Sequence, residues 1–283
     1  MDLVKGTFGY RFLGTVDNFT YADDKFRPTW KSRRGYRLTA EHRHQLCVHL
    51  AAHAVISHMG GSFVYMLAVA PAGVRSWTIS ERKVRKIGRM WGICSTSDFY
   101  CSNCLQWEEY QQRYVADPTG WEASTKYEYD ARERFHREEK STATLPSFDQ
   151  VLTARRHEIR AHVCGYLAGH IADGITAGLT AGEALRLYDR RDTQYVGGVS
   201  DIVIAEGLAG LLQPGEYENA VHVTEEVLRR PKVWKSVNRL ARALEKFGLL
   251  EGSECEVDMY DLMPKALPNW PPAPDSVIAS PAP

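Results

Sequence analysis

Between Thr39 and position 59 the chain meets neither glycine nor proline, and Leu46, Val48, Leu50, Val55 and Ile56 distribute apolar side chains around most of a helix surface. That pattern predicts a buried helix rather than an amphipathic surface one. Thr39 is a suitable N-cap with Glu41 in the first turn, and Gly60-Gly61 supplies the stop. Residues 62–70 are rich in Val, Tyr and aliphatics, Pro71-Ala72-Gly73 signals a turn, and 74–80 is read as a returning strand, giving a β-hairpin. A second long helix is predicted over 148–177, because Leu152, Ile159, Val163, Tyr166, Leu167 and Ile171 recur at helical spacing before Gly178. Shorter helices follow at 180–190, 200–213, 218–229 and 232–248, separated by Gly197-Gly198, Pro214-Gly215 and Pro231. The expected fold is mainly α with a small β-hairpin or sheet.

The remaining segments lack such periodicity. Residues 1–35 read as irregular structure or short strands, 36–80 as the helix and hairpin, and 81–146 as a polar, aromatic-rich insertion or lid. Residues 147–263 form the helical remainder, and the proline-rich tail 264–283 reads as extended or disordered.

Composition changes the picture little. The 283 residues carry 35 Lys plus Arg against 35 Asp plus Glu, so no global field draws the chain to nucleic acid or an acidic membrane surface. The short basic run 82–86 reads as a solvated face. No stretch approaches the roughly 20 apolar residues of a spanning helix, and the first residues do not lead into a signal peptide. The expected location is cytoplasmic, with reduced thiols. Of six cysteines, Cys94, Cys101 and Cys104 show one C-x-x-C pair, where a zinc knuckle set needs two, so free thiols are the simpler reading.

The chemistry lies in the first long helix. His49 and His53 are four residues apart, and with 3.6 residues per turn they project from nearly the same face, as two ligands of one tetrahedral metal ion do. An isolated pair of this kind also occurs simply packed and hydrogen-bonded in cores. The surroundings separate the two readings.

His49-Leu50-Ala51-Ala52-His53-Ala54 resembles the H-E-A-G-H-A metal motif in the peptidase domain of the FtsH-type ATP-dependent zinc metalloproteases, departing at the Glu and the Gly. The strand and turn after the motif, residues 64–73, follow the family's order. Further on, Ala168-Gly169-His170-Ile171-Ala172-Asp173 is similar to the family's A-G-R-x-A-E helix, with His170 for Arg and Asp173 for Glu. Ser200-Asp201-Ile202 resembles the element that carries the third metal ligand, and 239–245 with 250–252 resembles the closing helix and turn. The resemblance spans 38–72 and 147–262. It implies an FtsH peptidase-like helical domain with an inserted segment, Zn²⁺ held by His49, His53 and Asp201, and Asp173 behind a ligand histidine. By itself Asp201 is an ordinary helix-start carboxylate, favourable to the helix dipole.

The family's ATPase is not part of the resemblance. No G-x-x-x-x-G-K-[ST] loop occurs, so no ATP site is expected. Leu50 stands where the family has its general base, which takes a proton from the metal-bound water. General acid–base help contributes typically about 10²–10⁴ in rate, so weak or absent proteolysis is expected. Glu41, Asp173, His170 and Glu206 are the titratable groups nearest the matched elements, but none has the family's offset from His49. The functional expectations are a metalloprotease-like pseudoenzyme acting on or binding protein or peptide, a partner-binding regulatory module, or a zinc-dependent hydrolase of a non-peptide substrate. A homo-oligomer is compatible with each.

Overall fold

The computed structural model describes residues 11–13, 38–73, 92–97, 105–108, 113–116, 148–187, 201–262 and 267–268. Helix α1, Ala40–Met59, is its centre. Thr39 Oγ1 accepts from the His42 N–H at 3.1 Å, Glu41 lies in the first turn, and Gly60 caps the C-terminus. From Leu46 to Ser57 every residue is buried, so the helix is enclosed rather than one-sided, as its apolar circumference requires.

Strand β1 (Arg11–Leu13) precedes α1, and β2 (Val64–Val69) and β3 (Gly92–Thr96) follow it. Strands β4 (Leu105–Glu108) and β5 (Arg113–Ala116) form a separate antiparallel pair. Then come α2 (Phe148–Thr176), α3 (Ala181–Leu187), α4 (Asp201–Ala209), α5 (Glu216–Arg229) and α6 (Pro231–Phe247). Strand β6 (Leu249–Glu251) and helix α7 (Gly252–Met259) close the order. The result is mainly helical, with a four-stranded antiparallel sheet in the order β1-β3-β2-β6.

Around α1 pack α2, α6, β2 and β3. Helix α6 is amphipathic, burying Val233, Ser236, Val237, Leu240, Ala241 and Leu244 at three- and four-residue spacing. It ends on Gly248 at φ +76°, a left-handed cap that turns the chain directly into β6. Arg43 ties three elements together, donating from Nε to the Ala70 carbonyl and from Nη1 to that of Glu245, at 2.9 and 2.6 Å. A buried pair joins α2 to α5, where Arg160 Nε and Nη2 bond Glu216 Oε2 and Oε1 at 2.8 and 2.5 Å.

The helices lie close to where the apolar periodicity places them, while the sheet differs from the expected hairpin. The expected return strand, 74–80, lies outside the described residues, and the two edges of β2 are taken by β3 and β6. Leu67 thus sits between Cys94 and Leu250. Strand β3 comes from within the stretch read as an insertion and is buried at all five positions, so it shows none of the alternation that marks a half-exposed strand. At the start of the proline-rich tail, Leu267 is buried and its N–H donates to the Met59 carbonyl at 3.3 Å. No helix among the described residues is long and apolar enough to cross a membrane.

Candidate metal centre

His49 and His53 are fully buried on the face of α1 that meets α2. Their Nε2 atoms are 3.0 Å apart. The other nitrogen of each ring is engaged by α2: His53 Nδ1 lies 2.6 Å from the Gly165 carbonyl, and His49 Nδ1 lies 2.7 Å from Asp173 Oδ2. A carbonyl oxygen only accepts, so His53 Nδ1 carries the hydrogen and its Nε2 presents a lone pair. An imidazole facing a carboxylate likewise donates, which turns the Nε2 lone pair of His49 toward that of His53. Two such lone pairs at this distance repel unless a proton or a metal ion lies between them.

Gly165, Gly169 and Asp173 succeed one another at four-residue spacing, so they form one stripe of α2. The middle position gives the site its room. A Cβ at Gly169 would fall 2.4 Å from both Nε2 atoms and 2.5 Å from His49 Cε1. Glycine is the residue that lets α2 approach the pair without filling the space in front of it.

Asp201 enters from the first turn of α4 and is buried. Its Oδ2 lies 3.5 Å from His53 Nε2 and 4.0 Å from His170 Nε2. The His170 ring stands edge-on to that of His49, with centroids 5.1 Å apart and planes at 86°. Two groups able to hold a metal result, His49/His53/Asp201 and His49/His170/Asp173, the ligand atoms of each lying within 4.8 Å of one another.

Burial and the neighbouring imidazole of His49 hold His53 well below the usual histidine range. Burial, His49 and His53 do the same to His170. Neutral imidazole is the form that ligates, so the site favours coordination over protonation of these rings. Two imidazole nitrogens on one tetrahedral Zn²⁺, each at about 2.0–2.1 Å, stand roughly 3.3 Å apart, close to the spacing of this pair. The donor set and the cradle therefore fit a divalent ion.

Leu50 packs toward β3. It is fully buried, and its Cδ1 lies 2.6 Å from where a Cβ of Gly92 in β3 would be. Of the other groups weighed from sequence, Asp173 and His170 are brought to the site, whereas Glu41 is exposed in the first turn of α1 and Glu206 is half-buried on α4. Cys94 is buried in β3, its thiol pushed well up by burial, Cys255 and Asp201. It belongs to neither metal-capable group, and Cys101 and Cys104 lie outside the described residues. The Gly165 carbonyl was not identified from sequence; its four-residue offset from Gly169 and Asp173 was the available signal.

No protein-family model matches the chain. No curated protein matches it either. What stands is a mainly helical domain with two buried His/Asp clusters capable of coordinating a metal ion.

Proposed function

We propose that this protein binds one divalent ion, Zn²⁺ by its donor set, through His49, His53 and Asp201, as a metalloprotease-like domain of the FtsH type with little or no peptide hydrolysis. The observation that carries it is the convergence of two imidazole nitrogens and a carboxylate oxygen on the space that Gly169 keeps open. Two nitrogens and an oxygen suit zinc and its first-row neighbours rather than calcium or magnesium. Asp173 and the Gly165 carbonyl fix the ring orientations by holding Nδ1 of His49 and His53.

Bound zinc lowers the pKa of its water to about 7 and polarises a carbonyl. Hydrolysis by the family's route also needs a base beside that water, and Leu50 offers only an alkyl chain packed against β3. The metal is then a structural or recognition element, cross-linking α1 to the start of α4.

Metal content of protein purified without an affinity tag, then titrated with Zn²⁺, tests the site. Near-stoichiometric uptake is expected in the parent and loss of uptake in His49→Ala and Asp201→Asn. A parent that takes up no metal sinks the proposal. Degradation of an unfolded protein substrate by the zinc-loaded parent would refute the pseudoenzyme part alone.

A further inference from the structure

We propose that His170 supplies a fourth protein ligand to the ion proposed above, closing the site as a three-histidine, one-aspartate set. It presupposes that ion and goes beyond it, because the residues taken from the motif leave one tetrahedral position open. Zinc sites that keep three protein ligands hold water or substrate in the fourth position, while sites with four are closed and structural. Which class this site belongs to decides whether anything can react there.

The geometry of Asp201 makes the case. One carboxylate oxygen faces two imidazoles from two helices, His53 Nε2 of α1 at 3.5 Å and His170 Nε2 of α2 at 4.0 Å. Both separations exceed the 2.7–3.2 Å or so of a direct hydrogen bond. The first is close to the roughly 3.3 Å between ligands of one tetrahedral ion, and the second reaches it with a shift of the His170 ring of about 0.7 Å. His170 also stands edge-on to His49 and shares a 4.8 Å group with it and Asp173, beside the group that His49 forms with His53 and Asp201.

The position of His170 along α2 agrees. It follows Gly169, whose missing side chain makes the room, and precedes Asp173, which holds His49, by three residues, so all three border one space. Among the described residues, His49 and His53 from α1, Asp201 from α4, and Asp173 from α2 itself lie around that space. With Leu50 in place of a base, a closed metal sphere costs the chain no chemistry it could otherwise perform.

Zinc X-ray absorption on the metal-loaded parent counts its imidazole ligands without any variant. Three support the proposal; two overturn it. The Co²⁺-loaded protein gives a second reading, with azide as the probe: the parent spectrum is expected to stay unchanged, because no position is exchangeable. His170→Gln, and His170→Asn as a second shape, are expected to keep the metal, weaken it by more than the roughly 10–100-fold that follows loss of a residue merely orienting a ligand, and become azide-sensitive. An azide-responsive parent, or variants with parental affinity, would overturn the fourth ligand and leave the three-ligand site standing. A parent that takes up neither Co²⁺ nor Zn²⁺ defeats both proposals, so the two failures are distinct.

Discussion

The Nε2 atoms of His49 and His53 face each other across 3.0 Å, with Gly169 of the neighbouring helix opposite the gap. A methyl group is poorly tolerated there. Alanine at 169 puts its Cβ 2.4 Å from both nitrogens, and these are rings held from behind rather than flexible chain ends. Gly169→Ala gains up to about 1 kcal/mol of helix propensity but loses about 1–3 kcal/mol to overpacking. A lower denaturation midpoint and no zinc uptake are expected from chemical unfolding and metal analysis. Full zinc binding in this variant would show that the ion does not sit between the histidines.

If the ion sits as proposed, Asp173 acts on it through His49, so its removal should weaken binding without abolishing it. Asp173→Asn keeps the shape while removing the charge that orients and polarises Nδ1. Zinc affinity is expected to fall about 10–100-fold in competition with a chelator. Complete loss would instead mark Asp173 as a ligand, as in the alternative group it forms with His49 and His170.

The pH dependence has a definite sign. His53 and His170 are held well below the usual histidine range by burial and by the imidazoles beside them. In the unfolded chain they titrate near pH 6.5, so below that pH the unfolded state binds protons that the folded state refuses. Their contribution to stability is complete above about pH 6.5 and is lost as pH falls below it, at up to about 1.4 kcal/mol per pH unit for each histidine. Urea midpoints of the metal-free protein at pH 7.5 and 5.5 should differ in that direction; equal midpoints would contradict neutral buried rings.

Away from the centre, Arg160 and Glu216 test what joins α2 to α5. Both are buried and bonded through two pairs of atoms. Glu216→Ala leaves the guanidinium charge buried without its carboxylate, a change that typically costs about 3–5 kcal/mol. That loss should appear in unfolding free energy with zinc affinity nearly intact, since neither residue belongs to a metal-capable group.

Local signals were readable along the chain wherever they decide local structure. Thr39 and Gly60 bound the first long helix, and the four-residue spacing of His49 and His53 on an apolar helix pointed to a buried pair. The sheet was less legible because its pairing is distant. Val64–Val69 finds one partner across a stretch without periodicity, at Gly92–Thr96, and the other at Leu249–Glu251. Turn chemistry at Pro71-Ala72-Gly73 favoured the nearest partner instead. The backbone carbonyl of Gly165 has no signature in residue type, and the direction of the Leu50 side chain depends on β3, whose buried run shows no alternation.

Leu50 gives the sharpest separation between a disabled protease and a closed metal site. Were the site merely missing its base, Leu50→Glu would restore one. The structure packs this side chain toward Gly92, beside Leu46, in the buried layer between α1 and β3. A glutamate there forfeits about 1.5–3 kcal/mol of apolar burial and adds the desolvation of a carboxyl group, for a total above about 3 kcal/mol. The expected outcome is a clear loss of thermal stability with no metal-dependent cleavage of an unfolded substrate. Cleavage by the variant would mean that the carboxylate reaches the ion and that a coordination position is open to water, contrary to the role given to His170.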